Sequence, residues 1–311
     1  MLPGMPRPPS LAGVSPAAAL LALALASCVR GPPLAAGETR QVAGRPIRVV
    51  APSALPAGQR APLLVVLHGL GSSPEKVARY YGLEALVDEL GLVVAYPEGS
   101  QEARATGWFG QHSRFWNATD WCCDFQGAKV DDVAYLDAVL DDLLARYPVD
   151  PRRVYLVGLS NGGYMSHRYA CDRAARVAAI ASQAGAMWAD AGRCRPSEPV
   201  AVLQLHGTED TMVPYAGLGP RGGPGGPSQP SARQTVLDWV GFDGCRPQVD
   251  ATAPARDLFD DVAGAETTIE RWGGCRGVEL WTLHGAPHVP RPRQPDFARA
   301  LVGWLLEHPK P

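Results

Sequence analysis

Short apolar runs alternate with amphipathic helical stretches from residue 46 onward, and this predicts an α/β fold with a mostly parallel central sheet covered by helices on both faces. Three observations carry the prediction. The strands are continuously apolar, as in Leu63-Leu64-Val65-Val66-Leu67. Helical patterns separate them. A Gly-x-Ser-x-Gly segment, Gly158 to Gly162, follows one predicted strand and opens a predicted helix.

The strands are expected at 47–51, 62–67, 92–96, 153–157, 177–181, 200–205 and 278–283. Helices are expected at 130–147, 161–170, 232–239 and 297–306. In the first of these, Val133, Leu136, Val139, Leu140, Leu143 and Leu144 share one side. Asp131 and Asp132 begin it, where the helix dipole favours acids. Residues 217–230, rich in Gly and Pro, read as a surface loop, because the strand pattern resumes beyond them. No internal repeat is present, and one domain over 46–311 is the economical reading.

Composition narrows the function. The chain has 311 residues, 46% hydrophobic and 19% charged, with a formal net charge of -2. No run of one sign provides a nucleic-acid footprint. The N-terminus reads as a signal peptide over 1–28. The stretch Ala17 to Ala26 contains only Ala and Leu and is too short to span a bilayer. It leads into Leu25-Ala26-Ser27-Cys28, which has the form of a bacterial lipobox with Cys28 as the lipidated residue. The alternative is ordinary secretion with cleavage after Ala26. Residues 29–45, rich in Gly, Pro and Ala, read as a tether. The expectation is an exported protein anchored to the cell envelope by lipid, monomeric, and touching the membrane through that anchor alone.

Six further cysteines, Cys122, Cys123, Cys171, Cys194, Cys245 and Cys275, suit an exported chain with disulfides. None has the Cys-x-x-Cys spacing of a zinc site, so no metal or cofactor is expected. Fifteen pairings are open. Cys245 and Cys275 flank a Gly-rich, acidic stretch, and Cys171 and Cys194 bracket the strand and loop after the Ser160 helix.

The strand–turn–helix context makes Ser160 a candidate nucleophile, raised above the sheet by a sharp turn with glycines on both sides. A serine hydroxyl is weak and needs a base. Two later strands end in loops that carry one. His206-Gly207-Thr208-Glu209-Asp210 follows 200–205, and His284-Gly285-Ala286-Pro287-His288 follows 278–283. The order Ser160, Asp210, His288 is that of an α/β-hydrolase triad. His284, at the strand end, competes with His288, which lies farther along the loop and is favoured. His206 is expected to pack under the acid loop, and Glu209 to point away. Acyl transfer also needs donors for an oxyanion. The loop His68-Gly69-Leu70-Gly71 follows the strongest early strand, so the backbone N–H groups of Leu70 and Asn161 are the expected pair. Trp108, Trp116 and Trp121 lie in an aromatic loop that either lines a substrate cleft or forms a satellite core.

Residues 45–308 resemble the exported polyhydroxybutyrate depolymerase and feruloyl or acetylxylan esterase family of the α/β-hydrolase superfamily. The matching pieces are His68-Gly69-Leu70-Gly71-Ser72, Tyr96-Pro97-Glu98-Gly99, Trp116-Asn117 with Cys122-Cys123, Val130-Asp131-Asp132-Val133, Gly158 to Gly163, His206 to Asp210, and the His288 loop. The resemblance implies a serine esterase with the Ser160–Asp210–His288 triad and a Cys245–Cys275 disulfide. The family's last motif often reads Gly-Gly-Gly-His-x-Trp-Pro. Here it is Gly285-Ala286-Pro287-His288-Val289-Pro290, which bears on substrate preference more than on the base. No polymer-binding domain follows residue 308, so soluble or oligomeric esters are expected rather than solid polyester. A prolyl-oligopeptidase-type serine peptidase and a non-catalytic tethered binding protein are the alternative functions.

Overall fold

The computed structural model describes residues 37–104, 112–223 and 225–311. The signal segment and Cys28 lie outside the described residues, as does Trp108. Twelve strands occur in chain order among them: β1 (Glu38–Val42), β2 (Arg45–Val50), β3 (Ala61–Leu67), β4 (Val93–Pro97), β5 (Ser100–Gln101), β6 (Arg114–Phe115), β7 (Val149–Leu159), β8 (Ala179–Gln183), β9 (Ala201–Gly207), β10 (Ala251–Arg256), β11 (Thr267–Trp272) and β12 (Val278–Leu283). The α-helices are α1 (Pro74–Tyr81), α2 (Val87–Leu90), α3 (Asp132–Arg146), α4 (Asn161–Asp172), α5 (Ala232–Phe242) and α6 (Asp296–Leu306).

Ten strands form one sheet in the order β1-β2-β4-β3-β7-β8-β9-β12-β11-β10. Its six central strands, β4, β3, β7, β8, β9 and β12, are parallel to one another. Antiparallel pairs finish both edges. The alternation of side chains along β3 divides the core. Leu63, Val65 and Leu67 join a cluster with α3, α4 and α5. Leu64 and Val66 face the other way, onto α1 and α6. Both faces are covered, which is why β3, β4, β9 and β12 are buried along their whole length; β3 and β4 read as apolar runs, whereas β9 and β12 also bury Gln204, His206, Glu279 and Thr282.

All seven expected strands and all four expected helices are present, with ends shifted by a few residues. The tether assignment of 29–45 needs correction. Glu38–Val42 pairs with Arg45–Val50 across a tight turn in which Ala43 and Gly44 both have positive φ. This edge strand has one solvated face and little apolar content, so composition hides it. The same holds for β10 and β11, inside the stretch read as Gly-rich and acidic. Helix α1 also goes unforeseen, although its signals are written in the chain. Ser73 Oγ caps Lys76 N–H, Pro74 opens the first turn, and Gly82 closes it at φ 62°.

Among the described residues three disulfides are formed: Cys122–Cys123, Cys171–Cys194 and Cys245–Cys275. The last agrees with the pairing implied by the resemblance, and it ties the end of α5 to the turn between β11 and β12. No described helix is long and apolar enough to cross a membrane.

Two outcomes follow for stability. Replacing Cys245 and Cys275 together by Ser should lower unfolding free energy by about 2–4 kcal/mol in denaturant titration, because the open chain regains loop entropy; an unchanged midpoint would refute the contribution. Asp243 supplies a pH effect. Burial pushes its carboxyl up to about 7, against the Val200 N–H bond and the Arg276 charge that pull it down. Between about pH 4 and 7 the folded chain therefore holds a proton that the unfolded chain has released, so stability falls as pH rises through that window and levels off above it. Asp243→Asn should flatten this slope in urea unfolding at pH 4.5 and 7.5.

Candidate active site

The site begins with a backbone turn. Ser160, between β7 and α4, sits at φ 54° and ψ −119°, a conformation that L residues rarely adopt. The chain around it is too crowded for side chains. A Cβ on Gly158 would stand 2.1 Å from Gly162 O, and one on Gly162 would stand 2.2 Å from Leu67 O. Ser160 N–H donates to Gln183 O at 2.8 Å, which fixes the turn to the end of β8.

Three loops from the C-terminal ends of the parallel strands meet there. His288 Nε2 lies 3.0 Å from Ser160 Oγ, and His288 Nδ1 lies 2.7 Å from Asp210 Oδ2. The other carboxylate oxygen accepts from the N–H groups of Met212 (2.9 Å) and Val213 (2.8 Å). Burial raises the Asp210 carboxyl, but hydrogen bonds from His206, His288 and Val213 N–H outweigh it and hold the group well below the usual carboxylate range. These bonds favour the ionised form of Asp210. His284 is elsewhere: exposed, its Nε2 lies 2.8 Å from Thr268 Oγ1. His206 is fully buried beneath the acid loop and Glu209 is exposed, as expected.

The loop after β3 comes up against Ser160. A Cβ on Gly69 would lie 3.5 Å from Ser160 Cβ and 4.0 Å from its Oγ, so Leu70 follows directly beside the hydroxyl. His68 braces this loop. Its Nε2 accepts from Gly99 N–H at 2.9 Å, which leaves the proton on Nδ1 to donate to Gly69 O at 2.8 Å. Burial lowers the His68 imidazole to about 4 and keeps it neutral. Asn161 opens α4, where a helix leaves its first N–H groups without internal partners. Its side chain is held at both ends by Trp116, accepting from Trp116 N–H at 2.7 Å and donating to Trp116 O at 2.8 Å.

The aromatic loop is divided between core and cleft. Trp116, a candidate for substrate contact with a satellite core as the alternative, takes the core position: it is fully buried, and its indole N–H donates to His68 O at 3.0 Å. Its role is to hold the His68 loop and Asn161 in place. Trp121 does line the cleft. Asp131 caps α3, and Asp132, the first residue of the helix, has a different part. It is buried, pairs with Arg45 at 2.7 Å, and accepts from Asn117 N–H at 2.7 Å, which pins the start of the aromatic loop to α3.

The cleft over Ser160 holds about 500 Å³ and is largely apolar. Leu70, Phe125, Met212 and Val289 rim it and are exposed. Tyr80, Leu159, Tyr164 and the Cys122–Cys123 pair lie deeper. Tyr80 has no signal in the sequence reading, because α1 itself was missed. Its hydroxyl donates to Pro290 O at 3.0 Å and accepts from Gln183, joining the His288 loop to the strand end beside Ser160.

Comparison with known proteins identifies the family and the fold. "Putative esterase NocK" of Nocardia uniformis subsp. tsuyamanensis is 31% identical over 258 residues, covering 80% of this chain and 71% of that protein. "Feruloyl esterase B" of Piromyces equi is 27% identical over 253 residues, covering 79% of this chain but 42% of that protein. An acetyl xylan esterase structure from Aspergillus awamori superposes with a TM-score of 0.53 over 84% of this chain and 94% of that one; at 15% identity the likeness is one of fold. Residues 49–207 match the family described as "Esterase PHB depolymerase". The chain therefore belongs to the esterase PHB depolymerase family and has the α/β-hydrolase fold of esterases.

Proposed function

We propose that this protein is a serine carboxylic ester hydrolase that works through an acyl-enzyme, with Ser160 as nucleophile, His288 as general base and acid, and Asp210 as the group that orients His288. The observation that carries this reading is the His288 ring, bonded to Ser160 on one nitrogen and to Asp210 on the other. Ser160 attacks the ester carbonyl while its proton passes to His288 Nε2. The tetrahedral oxyanion rests on the N–H groups of Leu70 and Asn161. Collapse expels the alcohol, which takes the proton from His288. Water then repeats the sequence on the acyl-enzyme and releases the acid.

The expected substrate is a soluble or oligomeric ester with an apolar, aromatic-sized acyl group. The cleft beside Ser160 is walled by Trp121, Phe125, Tyr164 and Met212, which offer flat apolar contact and few polar partners. Relatives named for feruloyl and acetylxylan ester cleavage support this class. Three disulfides fit export into an oxidising compartment, and anchoring through Cys28 belongs to the same proposal.

A fluorophosphonate probe should label Ser160 and no other residue, as read by peptide mass spectrometry. Ser160→Ala should lower kcat for an aryl ester by a factor on the order of 10⁶; turnover equal to wild type would rule the mechanism out. Trp121→Ala tests the cleft. It should lower kcat/KM for methyl ferulate about 10-fold or more, with little change for an aryl acetate, since a lost aromatic contact matters only to an acyl group large enough to reach it. Equal losses for both esters would remove Trp121 from acyl recognition.

A further inference from the structure

Behind Asp210 lies a file of buried polar groups that the triad chemistry does not use. Trp239, on α5, donates its indole N–H to His167 Nδ1 at 3.0 Å. His167, on α4, faces Gln204 Oε1 with its Nε2 at 2.9 Å. Gln204, on β9, donates from Nε2 to Gly185 O at 2.8 Å and lies 3.2 Å from His206 Nδ1. His206, two residues on and so on the same face of β9, has its Nε2 2.7 Å from Val213 O and 3.4 Å from Asp210 Oδ2. Trp239, His167, Gln204 and His206 are all completely buried.

The direction of this file is fixed at one end. An indole nitrogen can only donate. His167 Nδ1 must then accept, so its proton sits on Nε2 and goes to the Gln204 carbonyl oxygen. That orients the Gln204 amide, whose NH₂ group meets His206 Nδ1. His206 in turn carries its proton on Nε2, toward Val213 O and Asp210. His167, Gln204 and His206 each have one tautomer or amide orientation that satisfies their neighbours, and the three choices agree. Burial lowers His167 to about 4, which keeps this link neutral.

We propose that Trp239, His167, Gln204 and His206 form a one-way hydrogen-bond relay, and that His206 is a positioning residue for the acid of the triad. His206 acts through the turn at 210–213. It anchors Val213 by the carbonyl, while Val213 and Met212 grip Asp210 Oδ1 by their N–H groups. That leaves Oδ2 turned to His288. The longer contact from His206 Nε2 adds a second donor to Oδ2. Without the relay the carboxylate is free to swing, and His288 loses the partner that stabilises its charged form. This inference rests on the triad reading above.

The test combines kinetics with NMR on the full folded protein. His206→Phe should lower kcat about tenfold at unchanged KM, the cost of one such hydrogen bond. The acid limb of its kcat/KM profile should move to lower pH, because the imidazolium is less well supported. His206→Gln, which can keep a donor near the Nε2 position, should recover part of both. Trp239→Phe, remote from substrate, should shift the acid limb in the same direction. On the wild-type protein, long-range ¹H–¹⁵N spectra should place the protons of His167 and His206 on Nε2. An Nδ1–H tautomer at either residue overturns the relay whether or not any variant folds. Wild-type kcat and pH profile in a folded His206→Phe protein also overturn it, as does a loss equal in the Phe and Gln variants. If Ser160→Ala or Asp210→Asn retained wild-type turnover, the triad reading would fail first; if those are inactive and the His206 variants are normal, the relay alone fails.

Discussion

At Ser160 the backbone is held in a left-handed conformation that costs about 1–3 kcal/mol for a residue with a side chain. It persists because the surroundings leave it no alternative. The peptide N–H is bonded to the end of β8, and α4 starts at the next residue. Gly158 and Gly162 let strand, turn and helix pass within contact distance of one another and of Leu67. The strain has a chemical return. It sets the hydroxyl above the ends of the parallel strands, where the loops after β3, β9 and β12 converge.

Those loops are themselves braced by buried polar groups rather than by apolar packing alone. His68 is fastened to Gly69 and Gly99, Trp116 to His68 and Asn161, and Asp132 to Arg45 and Asn117. All of these but the His68–Gly69 bond join segments well separated in the chain. Apolar contacts tolerate small slips, whereas a hydrogen bond weakens steeply with angle and distance. Polar bracing therefore suits a site whose groups must stay within a fraction of an ångström of their places. The cost is that every buried donor and acceptor must be matched, and the file from Trp239 to Asp210 meets that demand throughout.

The cleft follows a different logic. Its walls come from α1, the aromatic loop, α4, and the loops after β9 and β12, and they share only apolar character. Exposed Phe125, Met212 and Val289 at its rim are costly in water unless something apolar covers them. A rigid polar floor beneath an apolar mouth separates two tasks in the proposed reaction: acyl transfer at the floor and selection of the acyl group at the mouth.

The sequence by itself determined the parallel sheet, the glycine-flanked turn at Ser160 and the order of Ser160, Asp210 and His288. These are local facts: a fully buried strand is apolar at every position, and a tight turn demands glycine at fixed offsets. It did not reveal β1, β10 and β11, whose half-solvated faces dilute the apolar signal, and it passed over α1 and with it Tyr80. Only the tertiary structure decided that Trp116 is a brace while Trp121 faces the cleft, that Cys122 pairs with its neighbour, and that His206 stands behind Asp210. Two tryptophans five residues apart carry the same chemistry in a sequence. What separates them is which one finds a buried carbonyl for its indole N–H, and that carbonyl belongs to His68, 48 residues away.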